Sequence, residues 1–263
     1  MDSRADGRAE ELVALARRIE RAHAMQLERT RAARGSGAPA LVVGGGLAVS
    51  HGVRSPFSAA IGMGIGEAVT AREVDRIEAH LGLGGGPVRI EVTPFADASL
   101  TEELGRRGYQ LERFFQVWTR EPEAGTRGNL VRIAEPSEAA EWVEIFSRSF
   151  LGGPTQSEAQ REALGAMLVA DGSVPWLAEV AGAAVAVALS SAEGGVAWLS
   201  GAGVLPASRG QRIQEKLVRA RLAWAQSHGC DLAASATEPG TASQRTLERC
   251  GFLAAYPKAV LVH

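Results

Sequence analysis

The sequence predicts a mixed α/β fold of two tandem domains, each a mostly antiparallel mixed sheet flanked by helices. Three observations carry this. Short apolar runs alternate with amphipathic helical stretches along the whole chain. Hairpins are too many, and strands too few, for a doubly wound parallel sheet. Third, "LGRRGYQLERFFQVW" aligns with "LERCGFLAAYPKAVL", so that Tyr109 falls on Phe252, an offset of 143 residues. The same offset lays the strand from Val88 on the strand from Asp231, and the helix 70–83 on the helix 213–226.

The elements follow in order. Residues 8–34 are helical in pattern, with Leu12, Leu15, Ala16 and Ile19 on one face, and "RGSGAPA" breaks the run. "ALVVGGGLAVSHG" reads as a hairpin turning at Gly44–Gly46, and "SAAIGMGIG" as another short strand. Thr70 and Glu73 have the spacing of a capping box ahead of an amphipathic helix. "PVRIEVTPF" is a strand, "SLTEELGRRGY" a helix ending near Gly108, and "QLERFFQVWTR" a closing strand. The polar "EPEAGTRGN" is a linker at 121–128, which gives domains of 1–124 and 125–263. The second half then reads strand 130–134, helix 137–150, helix 157–169, strand 174–180, strand 183–190, strand 196–204, helix 209–227, strand 231–237, helix 242–249 and strand 254–262.

Composition narrows the function. A chain of 263 residues with 46% hydrophobic content can bury a full core. Its net charge of −2 offers no attraction to nucleic acid or to a membrane surface. No apolar run approaches the roughly 20 residues of a membrane span, and the charged N-terminus lacks an apolar signal segment. The expected location is the cytoplasm, and the expected state a monomer or homodimer. Cys230 and Cys250 show neither metal nor redox spacing; Cys250 reads as a small buried residue. No His, Asp and Glu grouping has the pattern of a metal site. His51 and His228 read as surface or loop residues.

The stretch that carries chemistry is "GVLPASRGQRIQEKL", beginning at Gly203. An apolar strand ends, a short basic loop follows, and a helix starts that is buried through Ile213, Leu217, Ala220 and Trp224. The first N–H groups of a helix lack intrahelical partners and favour an anion. Gly210 permits positive φ and close backbone approach, and Arg209 and Arg212 add positive charge suited to a diphosphate. A solvated basic turn joining two core elements is the plainer reading of the same residues.

With "SQRTLERCGF" further on, this order resembles the GNAT family of N-acetyltransferases over about residues 128–263. Val204, Pro206, Arg209, Gly210 and Ile213 match that family's loop pattern; Arg212 and Gln214 stand where it has small residues. The resemblance implies acetyl-CoA as acyl donor and a small-molecule amine as acceptor. It also implies that strand 196–204 splays from strand 231–237. Backbone at Gly203 and Val204 would then hold the pantetheine arm and polarise the thioester carbonyl. N–H groups through Arg209, Gly210, Gln211, Arg212, Ile213 and Gln214 would hold the pyrophosphate. The N-terminal half reads as a diverged domain of the same kind. Its "GMGIG", Gly62 to Gly66, is discounted as a second loop because the 143 offset places it at 205–209, ahead of the loop.

Amine acetylation needs a base for the ammonium, donors for the oxyanion and an acid for the leaving thiolate. The tyrosine that serves as acid in many family members falls at Leu247 here. Glu238, just past strand 231–237, is the candidate base; Ser200 and Tyr256 are candidates to contact water or substrate, and Ser243 to contact CoA. Each has a plainer reading: Glu238 as a turn carboxylate, Tyr256 as a half-buried strand aromatic, Ser200 as a strand residue, Ser243 as a helix cap. Glu179 reads as an exposed residue of its strand.

Overall fold

A computed structural model describes residues 3–35, 37–52, 55, 57–83, 85–125, 130–154 and 157–263. The chain divides into two units, Met1–Val117 with Tyr256–His263, and Trp118–Ala255. The division falls inside a strand ahead of the polar 121–128 stretch, part of which lies outside the described residues. The last strand also changes owner: most of it belongs with unit 1, although the sequence reading assigned it to the second domain.

Unit 1 opens with α1 (Ser3–Arg34), β1 (Leu41–Val43), β2 (Gly46–Val49) and β3 (Ala59–Ile61). It continues with α2 (Ala71–Leu81), β4 (Arg89–Val92), α3 (Ala98–Arg106) and β5 (Gln110–Arg120), which runs on into unit 2. Gly44 and Gly45, at φ +51° and +72°, form the two-residue turn between β1 and β2, where positive φ matches the strand twist. Thr70 caps α2, and the reciprocal bond from Glu73 completes the capping box. Along α1 the buried face is Ala16, Ile19 and Glu20; Leu12, expected on it, is 37% exposed. The core gathers Val74, Ile77, Ile90, Leu100 and Leu104.

Unit 2 holds β6 (Val131–Ile133), α4 (Ala139–Phe146), α5 (Glu158–Val169), β7 (Val174–Val180), β8 (Ala183–Glu193) and β9 (Val196–Val204). Then come α6 (Ile213–Ser227), β10 (Leu232–Thr237) and α7 (Ala242–Arg249), and the chain ends in β11 (Leu253–Val262), most of which belongs to unit 1. In the sheet the order is β10-β9-β8-β7-β6, antiparallel except for the parallel β9–β10 pair. In unit 1 it is β1-β2-β3-β4-β11. The expected helix 137–150 is interrupted. After α4 the backbone widens into a π turn over Ser147–Leu151 and closes at Gly152, φ +80°. The 143-residue offset holds element by element: α2 onto α6, β4 onto β10, α3 onto α7 and β5 onto β11.

Why β11 lies in unit 1 is visible in its side chains. It pairs antiparallel with β4, Ala259 opposite Val92. Tyr256 is 3% exposed and donates its hydroxyl to Glu20 Oε1 at 2.8 Å. The Lys258 ammonium, fully buried, meets Glu20 at 3.1 Å, Glu91 at 2.6 Å and His23 Nδ1 at 3.2 Å. Buried charges persist only when paired. Glu20, His23 and Glu91 also group closely enough to ligate a metal ion, a cluster the sequence spacing does not reveal. Lys258 already brings to it the positive charge an ion would supply. His51, read as a surface residue, is 3% exposed.

Two predictions follow from this burial. Lys258→Met leaves two buried carboxylates uncompensated and should lower unfolding free energy by about 3–5 kcal/mol. Pairing it with Glu20→Gln should cost less than the two single losses added together, measured by urea unfolding. Second, burial and then the Lys258 charge depress His23 from 6.5 to about 3. Burial and then Arg34 depress His51 from 6.5 to about 4. Both rings stay neutral when folded, while the unfolded chain protonates them below pH 6.5. Stability should therefore be full above pH 6.5 and decline as pH falls toward 4. The His23→Gln, His51→Gln double variant should show a flatter curve; an equally steep one refutes the assignment.

Candidate functional site

The site grows from a strand pair that stops pairing. β9 and β10 are joined only at Val196–Leu232, Ala197–Ala233 and Trp198–Ala234. Beyond that both strands continue, β9 to Val204 and β10 to Thr237. At the parting point Ser235 Oγ donates to the Leu199 carbonyl at 2.7 Å, satisfying a group the ladder has released. On its other side β9 carries a bulge against β8, a register shift between Val187 and Leu189. Gly201 sits there at φ +56°, the left-handed conformation bulges use glycine for.

Past Val204 the chain turns through a 3-10 helix, Pro206–Ser208. Gly210 follows at φ +82° and Arg212 at φ +57°. Neither angle belongs in an α-helix, so α6 begins at Ile213 and not at Arg209 as the periodicity suggests. Among the described residues, no acceptor meets the N–H groups from Gly210 to Glu215. They form a continuous row of donors at a helix start, where the peptide dipoles add positive potential.

Unit 1 supplies the contrast at the same offset. There Thr70 N–H is taken by Glu73 Oε2 at 2.8 Å and Gly44 N–H by Glu73 Oε1 at 3.2 Å. Gly64 N–H bonds the Gly44 carbonyl, Gly66 N–H the Phe95 carbonyl and Val69 N–H the Ser99 hydroxyl. The Thr70 N–H bond holds the Glu73 carboxyl below its ordinary range. A carboxylate of the chain itself occupies the anion position in unit 1. In unit 2 no side chain does, and the "GMGIG" glycines serve turns whose donors are spent.

The residues singled out from sequence divide accordingly. Gly203, Val204, Arg209, Gly210, Gln211, Arg212, Ile213 and Gln214 lie together at the end of β9 and the start of α6. Gly203 is packed so closely that a Cβ would overlap the Ser149 hydroxyl on the π turn. Arg209 is exposed, and its guanidinium donates to the Val204 and Ser149 carbonyls at 3.1 Å each. It ties strand end to π turn instead of holding its fork free for an anion. The Arg212 side chain is 73% exposed and leans to Glu215 at 3.4 Å, clear of the donor row. Ile213 is core, and Gln214 half-buried.

Ser200 lies half-buried in β9 at the bulge, its carbonyl accepting from Arg221 Nη1 at 3.4 Å. Glu238 is exposed in the turn after β10, where its carbonyl accepts from Thr241. Thr241, not Ser243, caps α7 by accepting from Gln244 N–H at 3.3 Å, which leaves Ser243 half-buried in the first turn. Tyr256 is not brought to this group. It belongs to unit 1, buried against Glu20, and burial pushes its hydroxyl above the ordinary range. Leu247, Cys230 and Cys250 are core residues; burial raises both thiols. His228 is exposed at the end of α6. Glu179 pairs with Arg132. Sequence reasoning missed Arg221, 2% exposed in mid-helix; its break in an otherwise apolar face was the signal available.

Arg212 should be replaceable. Gly at 212 relieves about 1 kcal/mol of left-handed strain, offset by glycine's larger unfolded entropy. Because the donors are backbone, Arg212→Gly should leave the affinity for a diphosphate probe within about threefold of wild type by calorimetry. A tenfold loss would assign the binding to the side chain.

Comparison with known proteins agrees with this geometry. The acetyltransferase (GNAT) family model matches residues 139–252. A GCN5-related N-acetyltransferase from Kribbella flavida superposes with a TM-score of 0.64 at 20% identity, covering 94% of this chain and 95% of its own. A second, from Sphaerobacter thermophilus, gives 0.54 at 16% identity over 73% of this chain and 65% of that one. A tandem GNAT protein from the clavulanic acid biosynthesis pathway gives 0.52 at 14% identity, over 73% and 67%. No curated protein sequence matches the chain. Parted strands and a glycine-bearing loop with unspent donors lie within the segment that matches the acetyltransferase (GNAT) family model, residues 139–252, in a chain with the fold of GNAT proteins.

Proposed function

We propose that the chain transfers an acetyl group from acetyl-CoA to the amine of a small-molecule acceptor by direct attack in a ternary complex. The row of unspent N–H groups from Gly210 to Glu215 carries this reading, because it fits a diphosphate and is filled in unit 1 by Glu73. Acetyl-CoA bound there supplies an activated thioester. Backbone at Gly203 and Val204, beside the parted strands, would line the pantetheine arm, and the half-buried Ser243 faces no competing side-chain bond among the described residues. The amine nitrogen forms the new C–N bond as the C–S bond breaks. Its proton passes to a base, for which Glu238 at the mouth of β10 is the candidate, directly or through water; Ser200 is the candidate to orient that water. The thiolate leaves without a side-chain acid, since Leu247 is buried at that position.

A second reading is a non-catalytic acyl-CoA-binding or sensing protein. The observation favouring it is at the position where the family carries its acid: Leu247 there is 4% exposed in the core and has no proton to give, and Tyr256 is held in unit 1. Turnover of acetyl-CoA against a panel of small amines, read as free thiol, separates the two. We expect thiol release that depends on the amine. Tight CoA binding with no release across the panel establishes the second reading. Gly210→Pro removes one donor and forbids φ +82°, so CoA affinity should fall by about tenfold or more. An unchanged affinity refutes the loop as the cradle.

A further inference from the structure

Arg221 is a buried cation without a counter-ion. It is 2% exposed in the middle of α6, and among the described residues no carboxylate pairs with it. Its Nε donates to the Leu217 carbonyl one turn back at 3.2 Å. Its Nη1 bridges two strands, donating to the Leu189 carbonyl of β8 at 3.3 Å and the Ser200 carbonyl of β9 at 3.4 Å. Burial costs the charge enough to lower its pKa to about 10. A leucine here would pack on the apolar residues around it without that cost, so packing does not account for the guanidinium.

Its position does. Leu189 and Ser200 face each other at the last regular pair before the bulge, where Ala188 must face both Gly201 and Ala202. Bulges leave ladder groups unpaired, and one Nη1 takes a carbonyl from each strand. The Ser200 carbonyl belongs to the same peptide unit as the Gly201 N–H. The Ser200–Gly201 peptide is trans, so that N–H points opposite to the carbonyl, away from Arg221 and α6. A cation on the carbonyl oxygen polarises the whole unit and strengthens its N–H as a donor. This peptide lies two residues past the parting of β9 from β10.

We propose that Arg221 is a positioning residue of the acyl-transfer site: it pins the β8–β9 bulge by holding the Leu189 and Ser200 carbonyls and sharpens the Gly201 N–H as a donor to the acyl carbonyl. Resting on the acetyl-CoA reading above, the proposal asks for negative charge to develop on the far side of the Ser200–Gly201 peptide, where a fixed dipole needs no reorganisation.

The test uses the full chain with acetyl-CoA labelled with ¹³C at the carbonyl. In wild-type protein the bound carbonyl stretch should move to lower frequency than in water. Arg221→Met should bind within about threefold of wild type by calorimetry, yet lose that shift and slow turnover with the best amine of the panel by about 10²-fold. Arg221→Lys keeps a charge and should recover part of both. Should Arg221→Met fail to fold by circular dichroism, Arg221→Lys alone decides: a shift indistinguishable from wild type, with turnover unchanged, overturns the proposal. A folded Arg221→Met that retains the full carbonyl shift overturns it too. Wild-type protein that binds no acetyl-CoA refutes the underlying reading and this proposal together. Wild-type binding without a carbonyl shift refutes this proposal alone.

Discussion

Backbone groups must be paired with something, and at one place in this chain the sheet stops doing it. β9 and β10 share three residue pairs and then continue apart. Every N–H and C=O released beyond Trp198 and Ala234 needs another partner. The Leu199 carbonyl takes the Ser235 hydroxyl, and the Ser200 carbonyl takes Arg221, which also holds the Leu189 carbonyl at the β8–β9 bulge. The Val204 carbonyl takes Arg209. The N–H groups from Gly210 to Glu215 take nothing within the described chain. Acceptors have been provided for with side chains, while donors are left open. That asymmetry is what an anionic ligand requires.

The two units show how small a change decides whether such a place is open. Both have a strand, a turn and a helix at the same offset, and both turns use glycine at positive φ. In unit 1 the residue three places past the cap is Glu73, whose carboxylate reaches back to Thr70 and across to Gly44. In unit 2 the capping residue is Arg212, which has no side-chain acceptor to offer, and Glu215, three places past it, turns its carboxylate to Arg249 and Arg212 and not back to the cap backbone. A capping box closes one helix start; its absence leaves the other exposed.

Arg212 and Gln214 first read as departures from a pattern of small residues. The structure explains the first. Position 212 needs a left-handed backbone, which glycine enters freely and arginine enters under strain. The side chain then points outward to Glu215, so the donor row is kept at an energetic cost and not lost. Nothing in the structure explains why glutamine stands at 214.

Much was legible in the chain itself. Periodicity located the helices and strands, the Thr70–Glu73 spacing named the capping box, and the Gly-Gly turn and the 143 offset were sound, because these depend on neighbours within a few residues or on bare repetition. The loop residues from Gly203 to Gln214 were also readable, since one continuous stretch builds them. Other features depended on distant partners. Tyr256 and Lys258 sit on a strand whose local pattern fits either unit; only Glu20 and Glu91, more than 160 residues earlier, draw it into unit 1. His51 read as a surface or loop residue and Arg221 drew no reading at all, yet packing buries both. Short-range chemistry determined the elements and the donor row. Long-range burial of charge decided which unit receives the last strand and which arginine stands behind the bulge.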